Sequence, residues 1–112
     1  MRRGTTPTIT LTLDIASTDI ATAWITIAQE GRVIINKDLD DEGVTIEDVT
    51  EAGVTSAVIS MTLTQADTLS LTSGQAALQV RALMDDGKAV ASGIYNLTVG
   101  KILKDGVITL EA

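Results

Sequence analysis

The strictest alternation of apolar and polar residues in the chain lies near its amino end. From Thr8 to Leu13 the sequence reads TITLTL, so three aliphatic side chains point to one side of an extended backbone and three threonines to the other. This period of two predicts a half-buried β-strand. Pro7 stands just before the run, where its missing N–H removes no hydrogen bond from the strand.

Two further extended runs, Ile20 to Gln29 and Arg32 to Lys37, are joined by Glu30-Gly31 and predict a β-hairpin. One face of the first run is apolar, and Trp24 points the other way. The residues assigned to that face are Ala21, Ala23, Ile25 and Ile27. Because both faces of the hairpin carry apolar side chains, the pattern leaves the buried side open. We predict that Trp24 fills the core, with an exposed anchor for a partner as the alternative.

A fourth strand is predicted over Ser56 to Leu63, where SAVISMTL again alternates. The alternation stops at the next residue. The segment Thr64 to Leu71 (TQADTLSL) therefore predicts a short helical turn that crosses one end of the fold, and Ser73-Gly74 reopens the chain into a strand.

The segment from Gln75 to Gly100 carries the clearest hairpin signal. Asp86-Gly87 is a preferred two-residue turn, because both central residues must tolerate positive φ. This turn places Met84 opposite Ala89 and makes one face of the hairpin apolar. The partners predicted further along that face are Ala82 with Ala91, Val80 with Gly93, Leu78 with Tyr95, and Ala76 with Leu97. Tyr95 is accordingly predicted in the core, with its hydroxyl at the rim.

The acidic stretch from Asp38 to Val49 (DLDDEGVTIEDV) begins like a calcium-binding EF-hand loop, with acids at its first, third and fifth positions and Gly43 at its sixth. The twelfth position must supply a bidentate carboxylate, but it is Val49, and the preceding residues do not favour a helix. We therefore predict an acidic, solvated connection. Its second half predicts either a helical turn capped by Thr45, or a short strand around Val44 to Ile46.

Six to seven short strands in 112 residues, with turn signals about every ten residues, predict an all-β antiparallel sandwich in a single domain, residues 1–112. The immunoglobulin-like version is our first choice, with a short helical crossover near 64–71, and a small closed barrel is the alternative. The last residues, 101–112, form either an edge strand or an extended tail that meets a neighbouring subunit.

The composition removes most reactive chemistry. The chain has no Cys and no His, which excludes disulfides, thiol chemistry, the usual zinc ligands and His-based acid–base catalysis. Its nine glycines form no phosphate-cradling motif, and no Ser stands in an S-x-x-K spacing. We therefore expect a protein that is not an enzyme, with no catalytic, cofactor-binding or metal-binding residues and no cofactor.

The net charge of −7 should repel nucleic acid, and two aromatic residues make a poor platform for stacking bases. No apolar run follows Met1-Arg2-Arg3, and no stretch reaches the roughly 20 apolar residues that span a bilayer. We expect neither nucleic-acid nor membrane binding, and no export by a signal peptide.

Three parts of the chain together resemble a known family. They are Arg3 to Leu13 (RGTTPTITLTL), Leu63 to Leu71 (LTQADTLSL) running into Leu78 to Ala82 (LQVRA), and Val99 to Ile108 (VGKILKDGVI). These segments are similar to small structural proteins of prophage tail and baseplate regions, and resemble the immunoglobulin-like N-terminal domain of siphophage baseplate upper proteins. The resemblance spans nearly the whole chain. It implies a structural component of the virion, present in the bacterial cytoplasm during assembly, that forms a homo-oligomer and contacts other phage structural proteins.

Two other functions remain open at this point. One is a cell-surface adhesin-like or other binding sandwich domain, which the missing signal sequence disfavours. The other is an acidic phage-encoded inhibitor that mimics DNA. Such a mimic needs carboxylates spread at phosphate-like spacing, whereas seven of the 15 acids cluster between Asp38 and Glu51.

Overall fold

Short strands with few helical interruptions make up the chain in the computed structural model, which describes residues 1–110. The strands follow the alternating and β-branched segments, and the one α-helix of these residues begins where the alternation stops. In chain order the elements are β1 (Thr8–Leu13), a 3-10 turn (Ser17–Asp19), β2 (Ile20–Gln29), β3 (Arg32–Asp38), β4 (Val44–Glu51), β5 (Val54–Thr62), α1 (Gln65–Leu69), β6 (Gly74–Met84), β7 (Ala89–Ala91) and β8 (Tyr95–Val99).

The strands form two antiparallel sheets that pack face to face. One sheet has the order β1-β5-β4. The other has the order β3-β2-β6, and both β7 and β8 pair with the free side of β6. The predicted all-β antiparallel sandwich is confirmed, and the barrel alternative is wrong because the two sheets remain separate.

The core between the sheets is aliphatic. Both sheets contribute side chains that are at most 1% exposed, and the connections on either side of α1 add two more. The larger of these side chains are Ile25, Ile27, Leu78 and Val80 from one sheet, Ile59 and Met61 from the other, and Leu63 and Leu71 beside α1. Each such side chain stabilises the fold by about 1.5–3 kcal/mol relative to an exposed one. In β1 the predicted face is the inner one, since Leu13 is buried and the threonines are exposed.

The second half of the acidic stretch is a strand and not a helical turn. β4 pairs with β5 along its whole length, from Val44 opposite Met61 to Glu51 opposite Val54. The strand alternative was therefore right, and the strand is longer than predicted. Ala52 and Gly53 have φ values of 49° and 79°, the pair of positive values that a type I′ hairpin turn requires.

The hairpin register was predicted correctly for β8 and wrongly for β7. The N–H of Gly87 donates to the Met84 carbonyl and the N–H of Met84 to the Lys88 carbonyl, which makes a three-residue loop with Gly87 at a φ of 88°. Met84 therefore faces Lys88, one residue earlier than predicted. An extra residue between β7 and β8 restores the predicted register, with Leu78 opposite Tyr95.

Ser92 holds this irregular connection. Its N–H donates to the Val80 carbonyl at 2.8 Å, and its hydroxyl oxygen accepts from the Val80 N–H at 3.0 Å. The side chain thus replaces a backbone partner where the ladder is interrupted.

Both aromatic predictions were wrong. Trp24 is 51% exposed, because it alternates with the buried Ala23 and Ile25 and must point to the outer face of its sheet. Tyr95 points inward opposite Leu78, yet it is 45% exposed because this side of the sandwich is open. Ala21 was also misplaced: a register irregularity between Ile20 and Thr22 turns Ala21 outward and Ile20 into the core.

Candidate functional site

The carboxylates clustered between β3 and β4 accept hydrogen bonds from nearby groups of the same chain. The Asp41 carboxylate accepts from the Asp38 N–H at 2.8 Å, and the Asp38 carboxylate accepts from the Asp40 N–H at 2.9 Å. Asp48 accepts both the backbone N–H and the hydroxyl of Ser17, at 2.8 Å each. These carboxylates shape a turn and attach β4 to the 3-10 turn, and nowhere in residues 1–110 do three acids converge as a metal site would need.

One end of the sandwich is closed by α1. Thr64 and Asp67 form a capping box, in which the Thr64 hydroxyl oxygen accepts from the Asp67 N–H and the Asp67 carboxylate accepts from the Thr64 N–H. The same carboxylate lies 3.1 Å from the ammonium of Lys37, an inward-pointing residue of β3. This contact joins the helix to an edge strand of the opposite sheet.

The environment of Asp67 lowers the pKa of its carboxyl. Burial acts in the opposite direction, since it raises this pKa by disfavouring the charged form. The hydrogen bonds from Thr64 and the bond and charge of Lys37 together outweigh burial, so the pKa of Asp67 lies below its ordinary value. The group is a structural ion pair, and an open groove of about 720 Å³ lies beside it, lined by Lys37, Thr64 and Val107.

Arg3 connects the amino-terminal segment, α1 and the tail. Its guanidinium donates to the Leu71 carbonyl at 2.6 Å and to the Leu69 carbonyl at 2.9 Å, which satisfies acceptors at the carboxyl end of α1. The same group lies 2.7 Å from the Asp105 carboxylate. The main chains of Arg3 and Gly100 also bond at 3.2 Å. The start of the tail is therefore fastened to the body of the domain.

Beyond Asp105 the tail continues as a segment without regular secondary structure that we call the arm, residues 106–110. It forms none of the strands in the described structure, so the edge-strand alternative for the tail does not hold within its own chain. Its main chain is held at Ile108, whose N–H donates to the Gln65 side-chain oxygen at 2.7 Å and whose carbonyl accepts from the Gln65 amide at 3.0 Å. Its side chains face solvent: Ile108 is 80% exposed and Leu110 is 102% exposed.

The edges of the two sheets differ in how they are protected. β4 carries Glu47, Asp48 and Glu51, and β3 has the inward-pointing Lys37 and a register shift opposite the end of β2. The β7–β8 edge is interrupted between its two short strands. Charges, bulges and short strands prevent a sheet edge from pairing with another chain. β1 has none of these: Thr8–Leu13 is continuous, uncharged and free of proline.

The open edge of β1 presents unpaired main-chain groups. Leu63 donates its N–H to the Pro7 carbonyl at 2.9 Å, so this and every second residue bond toward β5. The N–H and C=O groups of Thr8, Thr10 and Thr12 therefore point away from β5. Nothing in residues 1–110 bonds to them.

A groove of about 370 Å³ lies beside this edge, between the end of β1 and the β7–β8 ribbon. Its walls include Leu13 at the end of β1, Ile15 in the bend that follows, and Val80 from the other sheet. Val90 and Tyr95 also line it, and they stay 40% and 45% exposed although their strand positions face inward. The groove marks a place where one sheet extends beyond the other.

A second exposed surface lies on the outer face of the larger sheet. Trp24 is flanked by Arg81 on β6 and Asp38 on β3, and the Arg81 guanidinium lies 5.8 Å from the indole centroid. Val33 and Ile94 add apolar area, at 65% and 66% exposure. Trp and Arg are frequent in protein interfaces, so this face is also suited to contact with a protein.

The described helix is far too short and polar to cross a membrane. Comparisons of the chain with protein-family models, with curated proteins and with solved structures find no match.

No catalytic, cofactor-binding or metal-binding residue was predicted from the sequence, and that expectation stays a prediction. The tail was predicted as an arm or an edge strand, and its exposed side chains fit an arm. The open edge of β1 was missed. Its signal in the sequence is the lack of any charge from Thr5 to Leu13, but central strands such as β5 are equally uncharged, so the signal does not identify an edge by itself.

Proposed function

We propose that this protein is a non-catalytic structural module that takes part in assembling the tail or baseplate of a phage or prophage. The observation that carries the proposal is the unprotected edge of β1, in a chain that also exposes an apolar arm. Unpaired main-chain groups and exposed aliphatic side chains are features that a neighbouring subunit covers in an assembly.

The strand order supports an immunoglobulin-like identity for the sandwich. The orders β1-β5-β4 and β3-β2-β6-β7/β8 correspond to strands B-E-D and C′-C-F-G of an immunoglobulin variable-type domain. This agrees with the resemblance of Arg3 to Leu13 and Val99 to Ile108 to the N-terminal domain of siphophage baseplate upper proteins.

The proposed partners are further copies of the chain and other phage structural proteins. Seven acids and one lysine lie between Lys37 and Glu51, and the net charge is −7, so contact with nucleic acid is disfavoured. The charge also limits non-specific association of an otherwise aliphatic surface.

The test is the composition of particles. Prophage induction in a bacterium that carries the gene, followed by purification of tails and mass spectrometry, should recover peptides of this chain in the tail fraction. The chain should also co-purify with the products of adjacent tail genes. Absence from the particles would contradict the proposal, as would a chain that binds a glycan as a monomer or is displaced from a target by DNA.

A further inference from the structure

We propose that the edge of β1 accepts the arm of a second copy as an added strand, so that copies join head to tail. This rests on the proposed function, since it names the surface and the partner that the assembly uses. Three observations carry it: the hydrogen-bonding groups left open on β1, the space beside it, and the position of the arm.

The open groups require an extended partner. Thr8, Thr10 and Thr12 present alternating N–H donors and C=O acceptors along about 13–14 Å of edge. Only another extended main chain matches such a row, as in the strand addition by which peptides bind sheet edges. Side chains or a helix would satisfy at most part of it.

A groove lies between the end of β1 and the β7–β8 ribbon, where Val90 and Tyr95 stay 40% and 45% exposed. A strand added beside β1 would place its inward side chains toward this groove and cover both residues.

The arm has the right pattern for this position. In an extended conformation Ile108 and Leu110 point to one side and Thr109 to the other, which repeats the order of β1, where Ile9 and Leu11 face inward and Thr10 outward. The Ile108 and Leu110 side chains are 80% and 102% exposed in the described structure. Added beside β1, they would continue the apolar inner face of the sheet.

The arm and the groove lie at opposite ends of β1. Val107 shares a pocket with Thr6, Lys37 and Gly43, beside the start of β1, whereas the groove is lined by Thr12 and Leu13 at its end. The arm and the β1 edge are thus different surfaces of one chain. A contact that is not reciprocated between them is heterologous, and it produces a closed ring or a filament.

Disulfide trapping tests the proposal directly, because the chain contains no cysteine. Thr109→Cys is combined with Thr8→Cys, Thr10→Cys or Thr12→Cys in the full chain, and the protein is oxidised in its assembled form. We expect at least one of these pairs to give a ladder of cross-linked species in a denaturing gel. Mixing chains that carry only one of the two cysteines should give a mixed dimer.

The matched control is Thr45→Cys with Thr109→Cys, since Thr45 is exposed on β4, the other edge of the same sheet. Cross-linking of this pair as strongly as of the β1 pairs would overturn the proposal. The proposal would also be overturned if none of the β1 pairs cross-linked more strongly than this control pair.

A second measurement does not depend on disulfide geometry. Ile108→Asp with Leu110→Asp should reduce the mass in light scattering from a multiple of 11.7 kDa to 11.7 kDa, with an unchanged circular dichroism spectrum because both side chains are exposed. Trp24→Ala, on the outer face, should leave the oligomer intact. The opposite result would place the interface on the outer face and overturn the inference.

The two proposals can fail separately. A chain that is monomeric in light scattering but present in purified tails would refute arm exchange and leave the tail function standing. A chain that exchanges arms but is absent from tails would refute the function and leave the arm exchange standing.

Discussion

At the scale of single residues, a few polar side chains join elements that aliphatic packing alone would leave loose. Gln29 is 7% exposed and exchanges two hydrogen bonds with the Thr72 main chain, at 2.8 Å each. Thr68 is fully buried and donates to the Thr5 carbonyl. Asp67 joins the helix cap to Lys37. Every buried side-chain N and O atom among the described residues has a partner, so these groups add specificity without an unpaired polar atom.

Asp67→Asn should lower the free energy of unfolding by about 1–2 kcal/mol at neutral pH, because it weakens a helix cap and leaves Lys37 without its charge partner. The folded pKa of Asp67 lies below the ordinary 3.8, so its contribution is present above that value and is lost as the pH falls through the folded pKa. The difference between wild type and variant in urea unfolding should therefore shrink below about pH 4.

Asp40→Asn serves as the control, since this exposed side chain accepts no hydrogen bond in the structure. It should change stability by less than about 0.5 kcal/mol at any pH. A wild-type advantage over Asp67→Asn that grew in acid would contradict the assigned direction of the pKa shift.

At the scale of elements, turn geometry sets how the strands meet. Gly43 and Gly53 both have positive φ, 86° and 79°, at the two ends of β4. A Cβ at Gly43 would lie 2.9 Å from the Thr62 carbonyl oxygen, whereas a Cβ at Gly53 would meet nothing within 4 Å. Alanine at Gly53 would therefore introduce backbone strain alone, whereas alanine at Gly43 would introduce both strain and steric overlap.

Gly53→Ala should destabilise the fold by about 1 kcal/mol through its left-handed backbone alone. Gly43→Ala should cost about 1–3 kcal/mol more, because the Thr62 main chain must move and it bonds to the Gly43 carbonyl at 2.8 Å. Chemical unfolding of both variants checks this. Equal losses of unfolding free energy in the two variants would show that the Thr62 main chain moves aside without cost.

At the scale of the whole molecule, the amino-terminal segment and residues 98–105 meet beside α1. The amino group of Met1 donates to the Thr98 carbonyl, and the Gly100 N–H donates to the Met1 carbonyl. Arg3 then binds the end of α1 and Asp105. This junction fixes the point from which the arm departs.

Arg3→Ala should lower the free energy of unfolding by about 1–3 kcal/mol, because it removes charged donors from two carbonyls at the end of the helix. Asp105→Asn removes only an ion pair whose carboxylate is 66% exposed, and should cost at most about 1 kcal/mol. Urea unfolding measures both. If Asp105→Asn lowered the free energy of unfolding as much as Arg3→Ala, the salt bridge, and not the hydrogen bonds to the helix end, would stabilise the junction.

The strands and the helical crossover were predictable from local patterns. TITLTL alternates without interruption, and the loss of alternation at Thr64 marks the helix. The predictions that failed, for Trp24 and Met84, did so for physical reasons that the local pattern does not show. Trp24 is exposed because period two outweighs the preference of a large aromatic for the core, and Met84 pairs one residue early because the Asp86-Gly87 signal serves a three-residue loop as well.

The sequence by itself determined the fold class and the aliphatic core, because alternation and turn residues act over a few neighbouring positions. Only the tertiary structure decided which strands are edges, which side of the sandwich stays open and where the arm departs. These properties depend on the partner that each strand finds, and β1 and β5 look alike as sequences although one is an edge and the other is central. The acceptor for a neighbouring chain is therefore a property of the strand order, since a hydrogen-bonding group is open only when the assembled sheet leaves it without a partner.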